Sequence, residues 1–309
     1  MKSWWTRARL AAALIAAAGL IGCSGGGGAR PAAVSAGKTS PTAVAAAPFT
    51  PAATSTIPSP TAATAPKGDL RYWADRLVSE VAPDHNTYAA HPTTVTWASV
   101  DGARETQNRS VCSTLVATLI ERADGYSEDD LVGWFGSTSP TAADFYAAVT
   151  SVRGFAPVKA IGSIVPGDII VVQYPPGSHP TGHVMLVDGP PERLSPTAPR
   201  VAGTEQWVVP IIDSSTSGHG PSDTRALPNG KFHVGVGRGT LRLYSGAGGE
   251  IVGYSWSPLS ISKFISRQDR PIVVGRVDGS LRPGLGRQGR TNVDHETDDV
   301  ESGDPLNGP

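Results

Sequence analysis

Cysteine is almost absent from this chain, with 2 in 309 residues, Cys23 and Cys112. If the first is consumed at the N-terminus, no internal disulfide can form, and a disulfide-stapled scaffold is excluded. A surplus of either charge is absent too. Lys and Arg number 26 against 27 Asp and Glu, a formal net charge of −1, so nothing global steers the chain toward nucleic acid or an anionic surface. The apolar run from Leu10 to Ile21 is too short to span a bilayer as a mature helix. No internal repeat is evident, so a repeat array is not expected.

What is present at the start has a directional order. Lys2, Arg7 and Arg9 precede the apolar run, which closes in Leu20-Ile21-Gly22-Cys23. Charge, then apolar, then small is the order of an export signal, and the last four residues resemble the lipobox of bacterial lipoproteins. That resemblance implies removal of residues 1–22 and acylation of Cys23. The protein would then be held on the outer face of a bacterial membrane by lipid, facing the cell wall or periplasm. Residues 23–67 are Gly, Ala, Pro, Ser and Thr with few large apolar side chains, a composition that cannot offset its ordering entropy. A disordered linker is expected there. Residues 281–309 mix Gly and Pro with Asp294, Glu296, Asp298, Asp299, Glu301 and Asp304, and read as a solvated acidic tail.

Residues 68–280 suit one domain in size. Leu70, Trp73, Leu77 and Val81 recur at helical spacing, and the polar stretch from Asp84 to Asn108 reads as irregular. Helices are expected over Ser110 to Ala123, from a Ser127/Asp130 cap to Phe135, and from Ser139-Pro140 to Val149 with Pro in the first turn. Strands follow over 168–173, 183–188, 207–213, 240–244, 251–255 and 271–277. The Pro-rich segment from Gly189 to Pro199 reads as a surface loop, and Pro210 marks its strand as an edge or a bulge. Helices first and strands later predict an α+β domain, with N-terminal helices packed on an antiparallel sheet.

Chemistry centres on Cys112. Leu115, Val116, Leu119 and Ile120 follow it at helical spacing, which puts the thiol on the buried face of its helix. With Asn108 or Ser110 as the cap, Cys112 falls in the first turn. Free backbone N–H groups and the helix dipole there lower a thiol's pKa and offer an oxyanion donor. If the strands carrying His183 and Asp213 pair so that Asp188 faces Val208, then His183 faces Asp213 at the sheet end where such a helix could dock. Cys112 as nucleophile, His183 as base and Asp213 as orienter make the triad of a cysteine hydrolase.

Three segments carry a family resemblance. Ser110-Val111-Cys112-Ser113-Thr114-Leu115-Val116, Val165-Pro166-Gly167-Asp168-Ile169-Ile170 and Gly182-His183-Val184-Met185-Leu186-Val187 resemble the nucleophile helix, the turn before a core strand and the base strand of the NlpC-like cell-wall cysteine peptidases. Asp213 falls where that group places its third polar residue. The resemblance implies a papain-like fold, no cofactor, and cleavage of an amide in peptidoglycan stem peptides. Two residues depart from it: Val111 stands where Asp is usual and Thr114 where Gly is usual. The upstream Tyr that helps hold the oxyanion in the family has no evident counterpart. Gln107 is a candidate amide donor to the oxyanion beside the Cys112 N–H, and Arg225 a candidate clamp for a substrate carboxylate. His179 and His183 have metal-like spacing and His219 follows Asp213, but Pro180 and Gly182 interrupt the first segment, and no metal is expected. Val234-Gly235-Val236-Gly237-Arg238-Gly239 fits no phosphate-binding pattern. The rival to hydrolysis is a lipoprotein of the same fold that binds wall peptides or a protein without cutting.

Overall fold

The computed structural model describes residues 68–281. The export signal, Cys23, the linker and all but the first residue of the acidic tail lie outside the described residues. Among the described residues no helix is long and apolar enough to cross a membrane.

The chain opens with α1 (Leu70–Glu80), whose Asp69 cap accepts the Tyr72 N–H at 2.9 Å and whose Leu70, Trp73, Ala74 and Leu77 are buried. The following polar stretch is not irregular throughout. It forms β1 (Asn86–Tyr88), β2 (Thr94–Thr96) and β3 (Gln107–Ser110), a small sheet with β3 in the middle. These strands are three or four residues long and polar, so they carry no alternating apolar signal. Next come α2 (Cys112–Asp124), α3 (Glu128–Phe135) and α4 (Ala142–Thr150). Ser127 and Asp130 form the expected capping box of α3. The cap of α4 is Thr141, with Asp144 reaching back, so Pro140 lies before the helix and not in its first turn.

The remaining strands are β4 (Phe155–Val158), β5 (Ile169–Gln173), β6 (Gly182–Val187), β7 (Glu192–Leu194), β8 (Glu205–Ser215), β9 (Gly235–Ser245), β10 (Ile251–Ser255), β11 (Ile265–Ser266) and β12 (Ile272–Val277). They form one sheet in the order β11-β10-β9-β8-β6-β5-β12-β4, with β7 also on β8 and every pairing antiparallel. An α+β domain is what results. An isolated bridge between Ala160 and Glu250 draws the two ends of the sheet together, so it curls. The expected loop from Gly189 to Pro199 contains β7, because Glu192 to Leu194 pair with Gln206 to Val208. Pro210 is inside an 11-residue strand flanked on both sides, not at an edge. It sits where β8 changes partner from β6 to β7, and its carbonyl accepts the Asp188 N–H at 2.9 Å. In an antiparallel strand a residue's N–H and C=O face the same neighbour, so the missing N–H faces Asp188: the β6 ladder stops at Val187, while the β9 ladder on the other side is intact.

Strand alternation divides the core in two. Ile169, Val171, Val184, Leu186 and Ile212 face the helices and pack with Leu115, Leu119, Trp134 and Phe145. Ile170, Met185, Val187, Val209, Ile211, Leu241 and Leu243 face the other way, into the curl of the sheet. Each fully buried Leu or Ile contributes roughly 1.5–3 kcal/mol. The turn Val165-Pro166-Gly167-Asp168 anchors β5 between them. The buried Asp168 accepts the Val165 N–H at 2.9 Å and takes Arg276 of β12 bidentately at 2.8 and 3.0 Å.

Candidate active site

The start of α2 is placed by backbone and small polar groups. Val111 is the N-cap, not Asn108 or Ser110, and a valine side chain has no acceptor to offer the helix. Thr114 compensates: its Oγ1 accepts the Val111 N–H at 3.1 Å, half of a capping box. Cys112 is therefore the first helical residue, with its N–H free of intrahelical demand. Upstream, Ser110 Oγ donates to Asn108 Oδ1 at 2.6 Å, and Asn108 Nδ2 donates to Asn86 Oδ1 at 2.8 Å. Asn86 in turn exchanges two 2.8 Å hydrogen bonds with the Val236 backbone of β9, and Ser214 Oγ of β8 donates to the Ser110 carbonyl at 3.0 Å. The small sheet and the nucleophile helix are thus tied to β8 and β9.

His183 and Asp213 come from neighbouring strands, as their sequence positions suggest, but two residues out of the expected register. Leu186 pairs with Ile212 and Val187 with Ile211, which sets Ser215 opposite His183. A two-residue shift keeps both side chains on one face. The contact survives diagonally, with His183 Nε2 2.6 Å from Asp213 Oδ2. Cys112, His183 and Asp213 are 4%, 8% and 0% exposed, so their charges interact with little screening.

The electrostatics are those of an ion pair. Burial pushes the Cys112 thiol up, but the charge and hydrogen bond of His183 and the backbone N–H of Val184 outweigh it, leaving the thiol below its ordinary range. Burial disfavours a charged His183. The Cys112 thiolate and the bond to Asp213 reverse this, and the ring is pushed up to about 10. Asp213 lies well below the usual carboxylate range: burial opposes its charge, and His219, His183 and Arg225 together restore it. Thiol and ring thus each favour the other's charged form, with a fixed carboxylate behind.

His183 borders a cavity of about 170 Å³ that is lined also by Tyr88, Tyr174, Ser215, His219 and Trp256. Tyr88 hydrogen-bonds Cys112, and burial followed by the charges of Cys112 and Asp213 raises its pKa, so its hydroxyl stays a donor. Tyr88 is a site residue that the sequence did not reveal. It ends a three-residue polar strand, and only its location upstream of Cys112 hinted at it.

Two sequence candidates fall elsewhere. Gln107 alternates with the buried Asn108 on β3, is half-buried, and points its amide to Glu105 at 3.5 Å, so it is not brought to the thiol. Arg225 is not a substrate clamp. It is 3% exposed and fully engaged behind the site, with Nη2 2.8 Å from Asp213 Oδ1 and from Asp223 Oδ2, Nε 2.9 Å from Asp223 Oδ1 and Nη1 2.9 Å from the Gly235 carbonyl. His219 joins the site instead, with Nε2 2.9 Å from Asp213 Oδ2. His183, Asp213 and His219 bring ligand-type atoms within 4.8 Å of one another, a donor set a metal accepts. The spacings are those of hydrogen bonds, however, and the Arg225 guanidinium already neutralises the carboxylate. His179 lies on an exposed loop outside this set.

Beyond the site itself, the chain is similar to the uncharacterized protein R653 of Acanthamoeba polyphaga mimivirus, 32% identical over 216 residues that take in 67% of this chain and 95% of the viral one. No family model and no solved structure matches.

Proposed function

The chain belongs to the family of mimivirus protein R653, and from its own site we propose that it is a cysteine hydrolase of papain-like, NlpC-type fold that cleaves amide bonds. One observation carries this: a buried thiol at the first residue of a helix, an imidazole beside it, and a buried carboxylate 2.6 Å from that imidazole's far nitrogen. A structural cysteine in an apolar core has its pKa raised by burial. Here the surroundings lower it, which is the preparation a nucleophile needs.

In this reading the Cys112 thiolate attacks the amide carbon and the carbonyl oxygen becomes an oxyanion. The Cys112 N–H and the Tyr88 hydroxyl are its donors, the position first assigned to Gln107. His183, protonated at the outset, passes its proton to the leaving amine, and a thioester remains on Sγ. His183 then takes a proton from water, whose oxygen attacks the thioester; the carboxylic product leaves and Sγ returns as the thiolate beside the imidazolium, while Asp213 holds the ring throughout. The Thr114 departure from the family pattern is accounted for by its bond to the Val111 N–H.

Peptidoglycan stem peptides are the substrate we propose. The support is the likeness of the three segments to cell-wall peptidases and the lipobox-like Cys23, which would place the domain beside the wall on a lipid anchor. The cavity's size suits small side chains. Digestion of purified peptidoglycan with the wild-type chain should release fragments, read by mass, that Cys112→Ala releases at least ~10³-fold more slowly. Equal release by both proteins, or none by either, would overturn the proposal.

A further inference from the structure

Asp213 carries more partners than orienting one imidazole requires. Its Oδ2 contacts the Nε2 atoms of both His183 and His219, and its Oδ1 takes Arg225. On the far side of His219, Nδ1 lies 2.7 Å from the Trp256 carbonyl, which only accepts. An ionised Asp213 only accepts as well. Both nitrogens of His219 then have to donate, and only the imidazolium has two N–H groups. Asp223 completes the cluster, accepting the His219 backbone N–H at 2.9 Å and two guanidinium N–H groups of Arg225. Two cations, His219 and Arg225, thus face two anions, Asp213 and Asp223, and the buried cluster is neutral before His183 and Cys112 are added.

The glycines of β9 make room for this cluster. Gly237 is directly opposite Asp213 and Gly239 opposite Ile211, two residues apart and on one face. A Cβ on Gly237 would lie 2.6 Å from Arg225 Nε, and one on Gly239 would lie 2.7 Å from His219 Cβ and 3.0 Å from Asp223 Oδ2. Any side chain at either position would occupy the space the two cations use. Arg238, between them, points to the opposite face and pairs with Asp75 and Asp188. Val234-Gly235-Val236-Gly237-Arg238-Gly239 is therefore a bed for side chains rather than a loop for phosphate.

Resting on the hydrolase reading, we propose that His219, held as an imidazolium on this glycine bed together with Arg225, is a positioning residue that keeps Asp213 ionised and sets the pH range over which Cys112 and His183 stay charged. The groups facing His219 are Asp213 from β8, Asp223 and Arg225 from the loop after it, His183 from β6 and the Trp256 carbonyl. Tyr88 and Tyr174 line the same cavity, and Cys112 interacts with His183. Unopposed, the negative charge of Asp213 raises both the thiol and the His183 ring. The two cations damp that influence and hold both values down.

Two measurements on the full chain test this. In the first, ¹⁵N spectra of histidine-labelled protein at pH 7 are compared with those of His219→Gln. The ring missing from the variant should show both nitrogens protonated, and a neutral single tautomer for it would overturn the proposal. In the second, the rate of Cys112 alkylation by iodoacetamide is followed against pH in wild type, Gly239→Ala and His219→Gln. Both variants should move the profile to higher pH by roughly 0.5–1 unit, and an unmoved profile in folded variants would overturn it. If His219→Gln fails to fold, His219→Asn supplies the assignment, and if Gly239→Ala fails, the spectra still decide. A wild-type thiol that alkylates only near the ordinary thiol pKa would remove the hydrolase reading, whereas the state of the His219 ring is read independently of it.

Discussion

The two cores of this domain place their functional groups by different means. The helix-side core delivers Cys112 through one local element: a helix whose spacing, cap and first turn are written within about ten consecutive residues. The core inside the curled sheet delivers His183, Asp213, His219 and Arg225 from separate stretches of chain, through strand register and a loop. The site lies where the two meet. A nucleophile needs only a dipole and a charged neighbour, which a helix end and one imidazole supply. A buried carboxylate needs several donors converging on it, and long-range pairing is what brings them.

The comparison predicts unequal sensitivity, and the largest effect belongs to the sheet side. Arg225 and Arg238 flank the same segment of β9 but serve opposite faces. Arg225→Met removes a buried cation from two buried carboxylates and should cost about 3–5 kcal/mol. Arg238→Met takes a half-exposed cation from Asp75 of α1 and Asp188 and should cost about 1 kcal/mol or less. Unfolding in urea measures both. Equal losses would mean that the cluster around Asp213 is no more organised than a surface network.

The same contrast explains what was legible beforehand. Helices α1, α2 and α3 were readable because their signals lie in one short window: Leu115, Val116, Leu119 and Ile120 behind Cys112, or Ser127 with Asp130; the α2 cap was misread, because Val111 has no capping side chain. The pairing of the His183 and Asp213 strands was legible from apolar runs and chain order. Their register was not, because part of the intervening segment forms β7 and takes Gln206 to Val208 away from β6. The chemistry survived the error because the shift was even. Tyr88, His219 and Arg225 were misjudged for one reason: a polar residue in a short strand or loop has no periodicity, and its partner is set by tertiary structure. The glycines of β9 were visible, but what lies above them was not.

A second prediction joins the two sides through the Cys112–His183 pair. The His183 pKa is raised above its ordinary 6.5 to about 10, so its contribution to stability is complete below 6.5 and is lost as pH rises through about 10. The Cys112 pKa is lowered from its ordinary 9.0, so its contribution is complete above 9.0 and is lost as pH falls through the folded value. The two slopes oppose where these ranges overlap; above 9.0 the His183 loss acts alone and stability falls. Cys112→Ser removes the charge that most raises His183. The difference in unfolding free energy between wild type and Cys112→Ser should therefore be greater near pH 7.5 than near pH 10, by about 1–2 kcal/mol. A difference that does not vary with pH would mean that thiol and ring are uncharged partners.

The smallest expected effect isolates the local side of the comparison. Thr114 Oγ1 accepts the Val111 N–H and supports the helix start that a valine cap cannot. Thr114→Ala should cost about 0.5–1 kcal/mol, the usual worth of one capping interaction. Thiol reactivity should fall less than about 3-fold, because the His183 charge and the Val184 N–H stay in place. His183→Ala, by contrast, should slow iodoacetamide at about pH 6 by roughly 10²-fold, having removed the charge that holds the thiolate. If Thr114→Ala depressed reactivity as far as His183→Ala does, the helix start and not the imidazole would be the main source of the thiolate, and the division between a local and a long-range half of the site would fail.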